Sequence, residues 1–310
     1  MRIYISDDHK YPARLVGERA SRRTSDLLAK GLGELGHDVF YHLKDEILEP
    51  LPKCINLVAE PRFDVDVLHL QDAPLLGQVN SLGKPWVRTS HGRLGNPDVP
   101  ESLKDHLIFV SESHARCFGT RRYVYNGIDP SEFIYSEVKD NYFLFIVFGL
   151  ERAIFKGLGI ALSLVEELGI KLVVAGSSKN SHYQKHFAAF CKEQGLVFVG
   201  EIGGSQKAEL IAGAKALLFP TMVNEPFGLV VAEALISGTP VICSNRGACP
   251  ELISPDVGFV CSSHDEYIAA VERTQTISPR ACREKAMRDF HYLRMAADYV
   301  KEYEREIQHF

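Results

Sequence analysis

Ala216-Leu217-Leu218-Phe219-Pro220 and Asn224-Glu225-Pro226-Phe227-Gly228-Leu229-Val230-Val231-Ala232-Glu233-Ala234 read as an apolar strand followed by the start of a helix. Pro226 suits the first helical position, so the spacing predicts that the backbone N–H groups of Phe227, Gly228 and Leu229 lack partners inside the helix. Such a terminus attracts anions. Glu225 and Glu233 stand eight positions apart. A rise of ~1.5 Å per residue then sets their carboxylates on the order of 10 Å apart along the axis, the length of a diphosphate with a sugar at each end.

The same alternation extends along the chain in both directions. The first half reads as strand 2–6, helix 21–35, and strands 37–42, 65–70, 86–89 and 107–110, with Gly36 as a helix C-cap. The second half reads as strands 143–148, 171–175, 196–199, 216–219 and 240–243, separated by helical segments. The longest apolar run, Tyr142 to Leu150, is too short to span a bilayer and suits a buried parallel strand. Buried strands alternating with helices imply α/β architecture with two doubly wound parallel sheets in tandem.

Composition is compatible with an enzyme of this architecture. A chain of 310 residues with a 45% apolar fraction supports two domains of ordinary size. A net charge of −5 gives no general basic face for nucleic acid. Asp7 and Asp8 interrupt the N-terminal strand before it could become the apolar region of a signal peptide. The seven cysteines are odd in number and lack C-x-x-C spacing, which favours a reducing, cytoplasmic setting over a zinc site.

The Glu225 to Glu233 run resembles the E-x7-E signature of family 4 glycosyltransferases, the retaining group with the GT-B fold. Gly238-Thr239-Pro240-Val241-Ile242 resembles that family's G-T-P-V-I strand, and Arg246-Gly247-Ala248-Cys249-Pro250-Glu251 its G-G-x-P-E loop, with Ala248 in place of the second glycine. Gly36-His37-Asp38-Val39 is similar to its G-H-E-V, and Asn126-Gly127-Ile128-Asp129-Pro130 to the turn between its domains. The resemblance implies an acceptor-side domain over residues 1–130, a nucleotide-sugar domain over 131–285, and terminal helices over 286–310 that return to the first domain. In doubly wound sheets ligands bind at the carboxyl ends of the strands, so two facing rows of loops would form one cleft.

What the resemblance implies for individual residues is specific. Glu225 would hold hydroxyls of the donor hexose and Glu233 the ribose hydroxyls, while Phe227, Gly228 and Leu229 meet the diphosphate. Gly149-Leu150-Glu151-Arg152-Ala153-Ile154-Phe155-Lys156-Gly157 resembles the family's G-R-x(3–5)-K-G loop, so Lys156 would offset charge growing on the departing nucleoside diphosphate. Leu150 occupies the place of the family arginine, and Arg152 is the substitute. His91, in Thr89-Ser90-His91-Gly92, resembles the loop histidine that contacts the hexose. The family's paired glycines after the first strand are absent, leaving Gly17 as the candidate for close approach to phosphate and acceptor. The expectation is a metal-independent hexosyltransferase that requires no cofactor, uses a UDP-sugar as donor and transfers to a hydroxyl on a sugar, lipid-linked or small-molecule acceptor. The alternatives are a non-catalytic nucleotide-sugar-binding subunit and a GT-B epimerase or phosphorylase.

Three further patterns invite chemistry and have plainer readings. Asp64-Val65-Asp66 has the D-x-D form of metal-dependent transferases but precedes a strand of the first half, where solvated edge residues are expected. His182 and His186 share a helix face without a third ligand. Arg14, Arg19, Arg22 and Arg23 would permit weak peripheral membrane contact, although interspersed acids fit a solvated helix.

Overall fold

The apolar segments read above become strands of two parallel sheets, all eight inner strands and one edge of each sheet, in a computed structural model that describes residues 1–13, 20–44, 47–71, 82–92 and 101–310. The chain divides into one unit of Met1–Asp129 with Asp289–Phe310 and a second of Pro130–Arg288.

The first unit begins with β1 (Arg2–Asp7), α1 (Ala20–Glu34), β2 (Asp38–Leu43), β3 (Ile55–Val58), β4 (Val67–Leu70), β5 (Trp86–Ser90), β6 (Leu107–Phe109) and α2 (Glu112–Cys117). The strands are all parallel and lie in the order β3-β2-β1-β4-β5-β6. Ile3, Tyr4 and Ile5 are fully buried, as expected of a strand covered on both faces. α1 ends at the predicted place: the N–H of Gly36 donates to Gly33 O and that of His37 to Leu32 O, the paired bonds of a Schellman closure. β3 was not legible in the sequence. It is an edge strand whose Asn56 and Leu57 are exposed, so it lacks the apolar run that marked its neighbours.

Just beyond β1, fully buried His9 lies between two carboxylates. Its Nε2 is 2.8 Å from Asp26 Oδ1 and its Nδ1 is 3.0 Å from Asp7 Oδ1. Burial pulls the imidazole toward neutrality, but the bonds to Asp26 and Asp7 outweigh it and raise its pKa from 6.5 to about 9. Tyr41 also donates to Asp26 Oδ1, and Arg23 lies 3.7 Å from Asp26 Oδ2. A raised histidine contributes stability that is fully present below its unfolded value and lost as pH rises through the folded one. The free energy of unfolding should therefore fall between pH 6.5 and about 9, by roughly 3 kcal/mol at most. His9→Gln should flatten that slope. Urea melts at pH 6 and pH 9.5 on both proteins measure it, and equal slopes would remove His9 as the cause.

The second unit carries β7 (Phe143–Phe148), α3 (Leu158–Leu168), β8 (Leu172–Ser177), α4 (Ser181–Glu193), β9 (Val197–Gly200), α5 (Gly204–Gly213), β10 (Ala216–Phe219), α6 (Leu229–Ile236), β11 (Val241–Ser244), α7 (Cys249–Leu252), β12 (Gly258–Cys261), α8 (His264–Arg273) and α9 (Pro279–Asp289). Its strands run in the order β12-β11-β10-β7-β8-β9, again all parallel. β12, a short edge strand opening on glycine, also escaped the sequence reading. The segment at Asp129-Pro130 opens a 3-10 turn at Pro130–Glu132.

The last helix, α10 (Tyr292–His309), packs on the first unit. Tyr292, Met295, Ala296, Tyr299 and Tyr303 form its buried face at helical spacing. Within that contact His69 Nδ1 pairs with the Tyr303 hydroxyl at 2.6 Å, and Thr89 Oγ1 with the Tyr299 hydroxyl at 2.6 Å. Burial pushes His69 down to about 3, so it meets Tyr303 as a neutral ring.

Candidate functional site

Strand order identifies where the second unit should bind a ligand. Successive strands run from β7 through β8 to β9, and the chain then returns to place β10 on the other side of β7. Crevices at such a reversal lie between two loops that leave neighbouring strands in opposite directions. Those loops are the Gly149 to Gly157 segment after β7 and the Thr221 to Gly228 segment after β10.

Lys156 and Glu225 come together there. The Lys156 ammonium pairs with Glu225 Oε1, and both side chains are largely buried. Thr221 Oγ1 lies 3.4 Å from the same oxygen. The loop after β11 supports this arrangement, since the N–H of Ala248 donates to Glu225 O at 3.0 Å. Lys156 itself is held by a turn in which its N–H donates to Arg152 O at 2.9 Å. Leu150, at the expected arginine position, is 0% exposed and belongs to the core of the unit. Arg152 is exposed at the end of a 3-10 turn, with no ion pair among the described residues.

The helix carrying Glu233 starts later than its sequence suggested. Its first residue is Leu229, because Gly228 adopts φ 91°, a left-handed conformation that no helix continues. Pro226 and Phe227 therefore belong to the preceding loop, and the latter is buried. The groups without intrahelical acceptors are the N–H donors of Leu229 and Val230, whereas Val231 donates back to Gly228 O at 2.9 Å. Glu233 lies one turn further on and is 8% exposed. Its Oε1 accepts from Lys207 Nζ of α5 at 2.7 Å, while its Oε2 is buried without a hydrogen-bond partner among the described residues. Sequence reasoning passed over Lys207. The available signal was a lysine on the apolar face of a helix, in register with Ala208, Ile211 and Ala212.

The remaining candidates lie in the first unit. His91 follows β5, and its Nε2 is buried with no partner among the described residues. Burial lowers it to about 4 against the opposing charge of Asp7, with His114 and Arg88 adding to the decrease. It is thus a neutral hydrogen-bonding ring at ordinary pH. Gly17 lies outside the described residues, as do Arg14 and Arg19. Arg22 is 3.4 Å from Asp8, so acids do intersperse the basic cluster.

The profile of the family described as "Glycosyl transferases group 1" matches residues 132–287, half of the chain. The chain belongs to this family. MJ1607 of Methanocaldococcus jannaschii, a glycosyltransferase itself uncharacterised, is 31% identical to it over 182 residues, covering 52% of this chain and 45% of its own. The chain thus spans less than half the length of that relative. Among solved structures, AviGT4, a glycosyltransferase involved in avilamycin A biosynthesis, superposes with a TM-score of 0.79 at 22% identity, over 100% of this chain and 98% of its own. HepE of Anabaena in complex with UDP superposes at 0.73 with 17% identity, over 98% of this chain and 100% of its own. The fold is GT-B, with two Rossmann-like units.

In this member of the family the two metal-like patterns have structural explanations. Asp64 bonds to Arg2 at 2.9 Å and to Arg62, whose guanidinium holds its carboxyl far below the usual range, and Asp66 accepts from the Arg2 N–H at 2.8 Å. Both tie down the start of β1. His182 and His186 meet each other, Nε2 to Nε2 at 2.8 Å, and no group of three metal-ligating side chains occurs among the described residues. All seven cysteines are free thiols. No helix among the described residues is long and apolar enough to cross a membrane.

Proposed function

We propose that this chain is a retaining, metal-independent hexosyltransferase of the family 4 type that takes a UDP-sugar as donor and a hydroxyl compound as acceptor. The carrying observation is the Lys156–Glu225 pair at the β7/β10 reversal, in the loop that leads into α6, whose second turn carries Glu233 with its bare Oε2. A cation, an anion and the start of a helix at one crevice supply what a nucleoside diphosphate sugar needs: a counter-charge for phosphate, an acceptor for sugar hydroxyls, and free N–H donors. The UDP bound by HepE supports the uridine donor.

Without donor, Lys156 and Glu225 satisfy each other. On donor binding, Lys156 passes to the diphosphate and Glu225 to hexose hydroxyls, so the pair keeps both charges compensated in a low-dielectric site until substrate replaces each partner. The glycosidic C–O bond to the diphosphate breaks while the acceptor oxygen approaches from the same face, and a donor phosphate oxygen takes the acceptor's proton. Lys156 and the N–H groups of Leu229 and Val230 stabilise the negative charge gained by the phosphate. His91, assigned to the hexose by its resemblance to the loop histidine, would act as a neutral ring.

Two mutations divide the roles. Glu233→Ala should weaken UDP binding by about 10- to 100-fold, the loss of a hydrogen bond to a charged group worth roughly 1.5 to 3 kcal/mol. Glu225→Ala should leave UDP affinity near that of wild type and lower turnover. Calorimetry with UDP beside a transfer assay reads both, and unchanged affinity in Glu233→Ala would remove the ribose assignment. Transfer should also survive EDTA, because Lys156 and the helix terminus take the place of a cation at the diphosphate. Complete loss in EDTA with recovery in Mn²⁺ would overturn that part of the proposal.

A further inference from the structure

Lys207 is 4% exposed, a cation carried into the interior on the buried face of α5. Its ammonium lies 2.7 Å from Glu233 Oε1 and 5.6 Å from the centroid of the Phe148 ring at the carboxyl end of β7. That ring is 46% exposed, so the lysine sits just inside the same strand ends that border the site. Burying two charges is costly, and a buried pair by itself is a poor source of stability compared with apolar side chains of the same volume. The pair is also incomplete. Glu233 keeps one oxygen buried and bare, an arrangement that costs free energy in the isolated protein and is relieved by a donor arriving from outside it.

We infer that Lys207 is a positioning residue for the nucleotide: it anchors Glu233 Oε1 so that Oε2 is presented, acceptor-only, to the ribose hydroxyls. The inference rests on the assignment of Glu233 to the ribose and extends it to a residue outside every motif of the resemblance. Lys207 touches no ligand. It acts by fixing one oxygen of a carboxylate whose other oxygen does the binding, which removes the rotational freedom that an unanchored glutamate would lose on binding. A fixed ammonium beside the carboxylate also compensates its charge before and after the nucleotide arrives.

The test is a chemical double-mutant cycle. Wild type, Lys207→Met and Lys207→Arg are titrated calorimetrically with whichever of UDP, ADP and GDP the wild type binds, and with its 2′,3′-dideoxy form. Wild type should bind the dideoxy nucleotide about 10- to 100-fold more weakly, as expected for loss of hydrogen bonds to a charged group. Lys207→Met should bind the normal nucleotide at least about 10-fold more weakly and discriminate against the dideoxy form by less than about 3-fold, a coupling found only between groups that act on one another. Lys207→Arg, which keeps the charge, should restore part of the discrimination. If Lys207→Met does not fold, Lys207→Gln, whose shorter neutral side chain withdraws the ammonium from Oε1 while keeping the position polar, carries the same cycle with the same expected loss of discrimination. Additive penalties would overturn the inference and leave the ribose assignment standing. Equal binding of normal and dideoxy nucleotide by wild type would remove the ribose assignment and this inference with it, as would failure to bind any of the three nucleotides.

Discussion

Lys156→Ala should lower turnover by about 10²- to 10³-fold while UDP-sugar affinity falls much less, the range found when one preorganised electrostatic group is removed. The asymmetry follows from where charge develops. In the bound donor the bridging oxygen is shared between sugar and phosphate, and only as the bond breaks does its negative charge grow toward that of a free diphosphate. A cation at that point therefore stabilises the transition state more than the ground state. The ion pair with Glu225 adds a second consequence, because removing the lysine leaves a largely buried carboxylate without its counter-charge. Some loss of stability should accompany the loss of rate, and Lys156→Ala/Glu225→Gln should recover that stability without recovering turnover. Lys156→Arg should return only part of the rate, since a planar guanidinium does not place its charge where an ammonium did. Single-turnover donor cleavage, measured beside donor affinity and a denaturation midpoint, separates these effects. Unchanged turnover in Lys156→Ala would transfer the role to exposed Arg152. A wild type that binds donor and never cleaves or transfers it would favour a binding subunit, in which buried Leu150 marks the loss of the family arginine.

The inner strands were legible because both their faces are covered, which requires nearly continuous apolar sequence: Phe143-Leu144-Phe145-Ile146-Val147-Phe148 is the clearest case. The two overlooked strands, β3 and β12, are edges, where one side of the ladder is unpaired and composition is free to drift toward Asn56 or Gly258. The start of α6 was misplaced by a competition between two local signals. Pro226 suits the first helical position, but Gly228 in the left-handed region makes Leu229 the first helical residue, three positions further on. What sequence could not supply was pairing at a distance. Lys156 and Glu225 are 69 positions apart and Lys207 and Glu233 are 26 apart, so their partnerships exist only once β7 and β10 are neighbours and α5 and α6 flank them. Each motif named a residue, and the order of the strands determined which residues meet.

Gly157→Ala should destabilise the protein by about 3 to 5 kcal/mol, whereas Gly159→Ala, two residues later, should be neutral or stabilise it by up to about 1 kcal/mol. Gly157 has φ 88°, and a β-carbon there would sit 2.0 Å from Pro220 O, at the end of β10. Neither conformation nor space admits a side chain, and the obstructing atom is backbone, which cannot swing aside. This contact is where the loop bearing Lys156 docks against the neighbouring strand, so relieving the clash must move the loop away from β10. Glu225, five residues beyond Pro220, would then lose its partner. Gly159 has an ordinary φ inside α3, and a β-carbon on it would meet nothing within 4 Å. Alanine at that position only restricts the unfolded chain and favours the helix. Denaturation midpoints for the three proteins, with turnover for each, make the comparison. The close approach should appear as a loss of both stability and rate in Gly157→Ala alone. Wild-type stability in Gly157→Ala would mean that the loop is free to leave β10, and the Lys156–Glu225 pair would then be no fixed part of the site.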